Sequence, residues 1–185
     1  MGIEHELTRT FPQQIGIVSD RSSPSDFDPD MQRAKSIGID AFALNIGVDP
    51  YTVAQLDLAY QSAANNGMKV FISFDFNWYH SGSDAVAVGQ MIARYAGHAA
   101  QLMVNGKVFA SSFSGDGLDV ASMRSAAGVP VFWAPNYHPG QGNVNDVDGA
   151  LNWMVCLPPD TCFVPETGRI RVKRSQVANC GIGLG

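Results

Sequence analysis

Between Ile15 and Met154, short β-type runs alternate with helix-type segments, and that order leaves few architectures open. The strand runs are Ile15–Ser19, Asp40–Gly47, Met68–Asn77, Lys107–Phe113, Pro130–Asn136 and Val147–Met154, rich in Val, Ile and Phe and bounded by Gly, Asp or Pro. Several of the segments between them carry helix ends. Asp28-Pro29 reads as a cap followed by a proline preset for the first helical position, with Gly38 closing the helix. Thr52-Val-Ala-Gln55 has the form of a capping box, followed by Val53, Leu56, Tyr60 and Ala63 on one face and Gly67 at the end. Leu118–Ala127 repeats the scheme, with Gly128 after it. Alternation of this kind predicts a parallel sheet.

The side chains within each strand narrow the choice of sheet. Val70, Ile72, Phe74 and Phe76 share one face; Phe71, Ser73, Asp75 and Asn77 share the other. Phe42, Leu44 and Ile46 alternate with Ala41, Ala43, Asn45 and Gly47, while Phe132, Ala134 and Asn136 share a face, as do Ala150 and Asn152. One face reads as greasy, the other as small or polar and ending in Asn or Asp at the strand's C-terminal end. A doubly wound sheet carries helices on both faces, so its central strands are near-continuous apolar runs. A greasy outside and a polar inside instead fit an α/β fold of the (β/α)8 TIM-barrel type, in which function gathers at the C-terminal strand ends. Asn45, Asp75, Asn77, Asp116, Asn136 and Asn152 are then expected to converge on one mouth.

Composition limits the partners. The chain has 185 residues, 45% hydrophobic and 16% charged, which is one domain's worth of ordinary globular sequence. A net charge of −5 argues against a nucleic-acid surface, which is basic. No apolar run approaches the roughly 20 residues of a membrane helix, and Met1–Gln14, with Glu4, Glu6 and Arg9, does not read as a signal peptide. The stretch 155–185 differs from what precedes it: it holds all three cysteines (Cys156, Cys162, Cys180) and is basic where the rest is acidic. An odd cysteine count confined to a tail is no disulfide framework, and it lacks zinc-ligand spacing. No metal or cofactor is expected.

The mouth residues point to a neutral ligand. Amides and carboxylates with little positive charge suit neither phosphate nor carboxylate, which call for Arg, Lys or a glycine-rich helix start. Sugars take hydrogen bonds from Asn and Asp and stack on aromatic rings, and Trp78, Tyr79, Trp133, Tyr137 and Trp153 fall at or near the strand ends. Hydrolysis of a glycosidic bond needs two carboxyl groups, and Asp75 and Asp116 are the two that the pattern brings to the mouth. Plainer roles stand beside these. Asp116 can cap the helix that follows it, Asn45 and Asn136 can satisfy loop backbone, and His138 can be a loop hydrogen-bonder. Trp133 has outward parity, which makes it core. Asp75 is harder to explain structurally, because a carboxylate in an apolar strand costs several kcal/mol unless paired or wetted.

Five stretches carry a family resemblance: Ile39-Asp-Ala-Phe-Ala-Leu-Asn-Ile-Gly47, Lys69-Val-Phe-Ile-Ser-Phe-Asp-Phe76, Ser111-Ser-Phe-Ser-Gly-Asp-Gly-Leu-Asp119, Phe132-Trp-Ala-Pro-Asn-Tyr-His-Pro-Gly140 and Asp148-Gly-Ala-Leu-Asn-Trp153. In that order they resemble glycoside hydrolase family 71, the fungal α-1,3-glucanases or mutanases, over residues 15–154. The resemblance implies a secreted (β/α)8 glycosidase that cleaves α-1,3-glucan of fungal walls or bacterial mutan. It implies inversion as well, with carboxyl groups roughly 6.5–9.5 Å apart to admit a water. Asn45, Asp75, Asn77, Asp116, Asn136 and His138 are the substrate-binding candidates; no catalytic residue is assigned.

The sequence also departs from the family. Residues 1–14 are an atypical N-terminal segment, with Pro12 where a first strand is usual. The Trp-Asn-Asp-Tyr-Gly-Glu motif expected to hold the acid and base does not occur in these residues, so about six of eight strands and an incomplete barrel are expected. Residues 155–185 are expected to be a disordered tail foreign to the fold, read through from an unspliced intron at Val155-Cys156 or out of frame. An open barrel exposes a strand edge, so the chain alone is expected to be partly unfolded or to aggregate and to hydrolyse little. Two alternatives remain: a non-catalytic glucan-binding remnant, and an unrelated barrel enzyme using Asp75 and Asp116 as acid and base.

Overall fold

The computed structural model describes residues 20–151. The expected strand Ile15–Ser19, the segment 1–14, Asn152, Trp153 and the tail 155–185 lie outside the described residues. In chain order the elements are α1 (Asp28–Ser36), β1 (Ala41–Ile46), α2 (Thr52–Asn66), β2 (Lys69–Asp75), α3 (Ala85–Tyr95), β3 (Met103–Val104), β4 (Lys107–Phe113), α4 (Val120–Ala127) and β5 (Val131–Asn136). β1 pairs with β2, β2 with β4, and β4 with β5, all parallel. Short β3 pairs antiparallel with β4.

Where the helices sit decides the class of sheet. The main core joins Met31 and Ala34 of α1, Leu56, Tyr60 and Ala63 of α2, Val88 and Ile92 of α3, and Met123 of α4 to Leu44, Ile46, Val70, Ile72, Phe74, Val108 and Trp133 of the strands. A second cluster on the opposite face, centred on Phe71, Phe109 and Ala134, contains no helix residue. Among the described residues the helices therefore cover one face only. That is a mixed α/β arrangement with a parallel sheet, compatible with part of a barrel and unlike a doubly wound sheet. Gly89 sets the α3–α4 approach: a Cβ there would lie 2.2 Å from the Met123 carbonyl oxygen.

Glycine ends two helices as the sequence indicates. Gly67 and Gly128 take left-handed φ of 64° and 63° after α2 and α4. The starts differ. Phe27, not Asp28, holds the cap position of α1, and the Asp28 carboxylate instead accepts from Ser62 Oγ (2.6 Å) and Asn66 Nδ2 (2.7 Å) of α2. The Thr52–Gln55 capping box does not form: Tyr51 is the cap residue, and Gln55 Nε2 donates to the Arg21 carbonyl. Helix α4 starts at Val120, not Leu118, because Asp119 caps it by accepting from Ser122 N at 3.0 Å.

Two further corrections concern strands. Among the described residues, 147–151 is not a strand. Asp148 N donates to Trp133 O and Leu151 N to Pro135 O, but the Asp148 carboxylate captures Trp133 N–H at 3.1 Å, a donor that a regular ladder would use. The other is the inserted β3. The lower ends of β2 and β4 are separated by residues 100–104, which bond Val70 on one side and Phe109 on the other. Buried Gln101 fastens this wedge, accepting from Tyr60 Oη (2.6 Å) and donating to Phe109 O (3.0 Å). Asn105 and Gly106, both at positive φ, make the tight turn into β4.

Candidate functional site

The helix-free face carries the chemistry, and strand register orders it in rows. Lowest are Ala43, Phe71, Phe109 and Phe132, with Phe71 edge-on to Phe109 (4.7 Å) and Phe109 stacked on Phe132 (5.5 Å). This aromatic floor corrects the expectation of a uniformly small or polar inner face. Above it lie Asn45, Ser73, Ser111 and Ala134, register partners across β1, β2, β4 and β5. Above those lie Asp75, Phe113 and Asn136, again partners. Alternation places Asn45, Asp75 and Asn136 on this one face, at the C-terminal ends of three strands.

Polar atoms here are unusually short of partners. Asn45 Oδ1, Ser73 Oγ and Ser111 Oγ are buried and have no hydrogen-bond partner among the described residues. A buried orphan costs about 1–3 kcal/mol, so three adjacent ones mark a lane made to receive hydrogen-bonding groups. The Asp75 carboxylate receives only the Asn77 N–H, at 3.0 Å, and no cation lies within ion-pairing distance among the described residues. Asn77 itself is not on the inner face: β2 ends at Asp75, and Asn77 is an exposed turn residue that tethers that carboxylate. Neither Ser73, which the alternation already puts on the face of Asp75, nor Ser111, with the same parity, is among the candidates drawn from sequence.

Asp116 and His138 are brought together. Asp116 does not cap α4; it accepts from His138 N–H at 2.6 Å through Oδ1 and sits 2.7 Å from His138 Nδ1 through Oδ2. One carboxylate thus ties the loop after β4 to the loop after β5. Ser114 (φ 59°) and Gly115 (φ 93°) make the reversal that presents it, and a Cβ on Gly115 would lie 2.7 Å from the Phe76 ring. Beside the pair, burial pushes the Tyr137 hydroxyl pKa up, and the carboxylates of Asp116 and Asp146 add to it.

Asp148 has a structural task on the far side of β5. It holds Lys107 Nζ and Arg124 at 2.6 Å each. Burial pushes its carboxyl upward, but the Lys107 bond, the Trp133 N–H and Arg124 outweigh that and hold it below the usual carboxylate range. Trp133 is fully buried among core residues, in line with its outward parity. Among the described residues no group of three His, Cys, Asp or Glu is placed to hold a metal, and no helix is long and apolar enough to cross a membrane.

Comparison with known proteins follows the same strands. The model of glycosyl hydrolase family 71 matches residues 11–161. The chain belongs to this family. It is 39% identical to a mutanase of Penicillium rubens over 145 residues, covering 76% of this chain and 32% of that protein. It is 35% identical to a glucan endo-1,3-α-glucosidase of Schizosaccharomyces pombe over 147 residues, 70% of this chain and 34% of that one. An ascus wall endo-1,3-α-glucanase of the same yeast is 25% identical over 153 residues, 72% and 35% of the two chains. The family 71 chain described here spans about a third of the length of the relatives it matches. No solved structure matches it.

Proposed function

We propose that this family 71 chain contributes part of a (β/α)8 barrel that binds α-1,3-glucan, and that the protein hydrolyses α-1,3-glucosidic bonds. Family membership supports the reaction class, and the names of the relatives support the substrate. The observation that carries the site assignment is the Asp75 carboxylate, without a cation, above a lane of unpartnered Asn45, Ser73 and Ser111 atoms. A polyol supplies many donors and no charge, which is what such a lane lacks. Asn45, Asp75, Asn136 and His138 are proposed to contact substrate; Asn77 and Asp116 hold Asp75 and His138 in place. The ascus wall relative supports action outside the cell, on a wall polymer.

One observation favours binding over catalysis within these residues. Both oxygens of Asp116 are engaged by His138, which casts Asp116 as the group that holds His138 in place rather than as an acid or base. Incubation with insoluble α-1,3-glucan separates the readings: co-sedimentation with release of reducing sugar marks hydrolysis, and co-sedimentation alone marks binding. Asp75→Asn is expected to weaken binding about tenfold or more, the worth of a charge-assisted hydrogen bond. Equal binding by Asp75→Asn and wild type refutes the site; no binding by wild type refutes the substrate.

A further inference from the structure

We infer that Trp78 is a stacking platform for a glucosyl ring beside the Asp75 site, an inference that rests on the α-1,3-glucan reading. The two described tryptophans differ sharply in exposure: Trp133 has 0% of its surface exposed, whereas Trp78 has 63%. Trp78 is nonetheless held. Its N–H donates to the Asp75 carbonyl at 3.0 Å, which fixes the backbone directly after β2. Its indole lies against Gly47, at the end of β1: a Cβ there would be 3.3 Å from Trp78 Cδ1 and 3.4 Å from Cγ. The missing side chain of Gly47 is what lets the indole settle on the top of the neighbouring strand.

The surroundings select the occupant. Asp49 Oδ2 borders the same glycine, 3.3 Å from where its Cβ would be, and Asn77 is exposed one residue before the indole. Tyr51 stands exposed in the same β1–α2 loop. An aromatic face flanked by carboxylate and amide acceptors matches a pyranose: its polarised C–H bonds lie on the electron-rich ring while its hydroxyls donate at the rim. An anionic ligand finds no such match, because the polar groups that border the platform are the Asp49 and Asp75 carboxylates and the Asn77 amide. The platform sits outward of Asp75 along the tops of β1 and β2, so it serves a sugar unit adjacent to the one that Asp75 contacts.

The full chain is titrated with a soluble α-1,3-linked gluco-oligosaccharide while acrylamide quenching of tryptophan emission is followed. Binding is expected to shield an accessible tryptophan in wild type, and that shielded fraction is expected to vanish in Trp78→Phe. Affinity is expected to fall about tenfold in Trp78→Ala, with part of the loss recovered in Trp78→Phe. Gly47→Ala, which displaces the indole by a few tenths of an ångström, is expected to lower affinity about twofold to threefold while leaving the Asp75 contacts in place. Oligosaccharide binding with Trp78 still fully quenchable, or undiminished in Trp78→Ala, overturns the platform and leaves the glucan reading standing. Absence of binding in wild type overturns both.

Discussion

The two faces of the sheet come from the same strands and obey opposite rules. On the helix side large apolar side chains interlock: Trp133, Phe74, Leu44 and Val70 are buried to 2% exposure or less. On the other side, above the aromatic floor, short or polar side chains prevail, with Phe113 the bulky exception, and three of their atoms have no partner among the described residues. A face selected for stability would not keep unsatisfied hydroxyls, because an apolar replacement of the same size costs little or improves stability. The contrast says which face holds the molecule together and which holds the ligand.

Substitutions can break or sharpen that division. The largest effect is expected at Trp133→Ala, about 3–5 kcal/mol lost, because the indole is fully enclosed and leaves a cavity. Urea unfolding measures it. A loss below about 1 kcal/mol would place Trp133 outside the core. The same experiment tests the expected instability of the chain alone, since a single cooperative transition in wild type contradicts it.

Asp148→Asn is expected to cost about 1.5–3 kcal/mol, as it weakens charge-assisted bonds to Lys107 and Arg124; their partly exposed side chains hold the figure toward the lower end. The pH dependence has a definite sign. Folding lowers the Asp148 pKa from 3.8, so its contribution is complete at neutral pH and is lost as pH falls through and below that value. Wild type and Asp148→Asn should therefore converge in thermal midpoint on acidification, and a gap that widens toward low pH contradicts the assignment.

The smallest effect on stability is expected at Ser73→Ala and Ser111→Ala, within about 0.5 kcal/mol of wild type or slightly stabilising, since each removes a hydroxyl with no partner among the described residues. Sedimentation with α-1,3-glucan should show weaker binding by the same variants. Variants that bind fully and unfold early would show that the lane belongs to the fold and not to the ligand.

Much of this was legible in local pattern. The period-two alternation in Val70–Asp75 and Val131–Asn136 assigns each side chain to a face, and that assignment survives in the structure because a register slip would expose Val70, Ile72 and Phe74 together. Helix starts were less legible. Ser, Thr and Asp compete for several capping and tertiary bonds, so Asp28 left its own helix end to bind Ser62 and Asn66. The wedge at residues 100–104 was signalled only by Asn105-Gly106, and its anchor Gln101 bonds Tyr60, 41 residues away in sequence.

The sequence alone determined the four parallel strands β1, β2, β4 and β5, the two faces of each and the family, because these depend on near-neighbour periodicity and on contiguous motifs. Tertiary structure decided the rest: that Asp116 binds His138 and does not cap a helix, that Asp148 serves α4 and β4, and that Ser73 and Ser111 stand unpaired beside Asn45. Those outcomes depend on which groups meet across strands, and a partner's identity is set by register and loop closure rather than by the residues on either side.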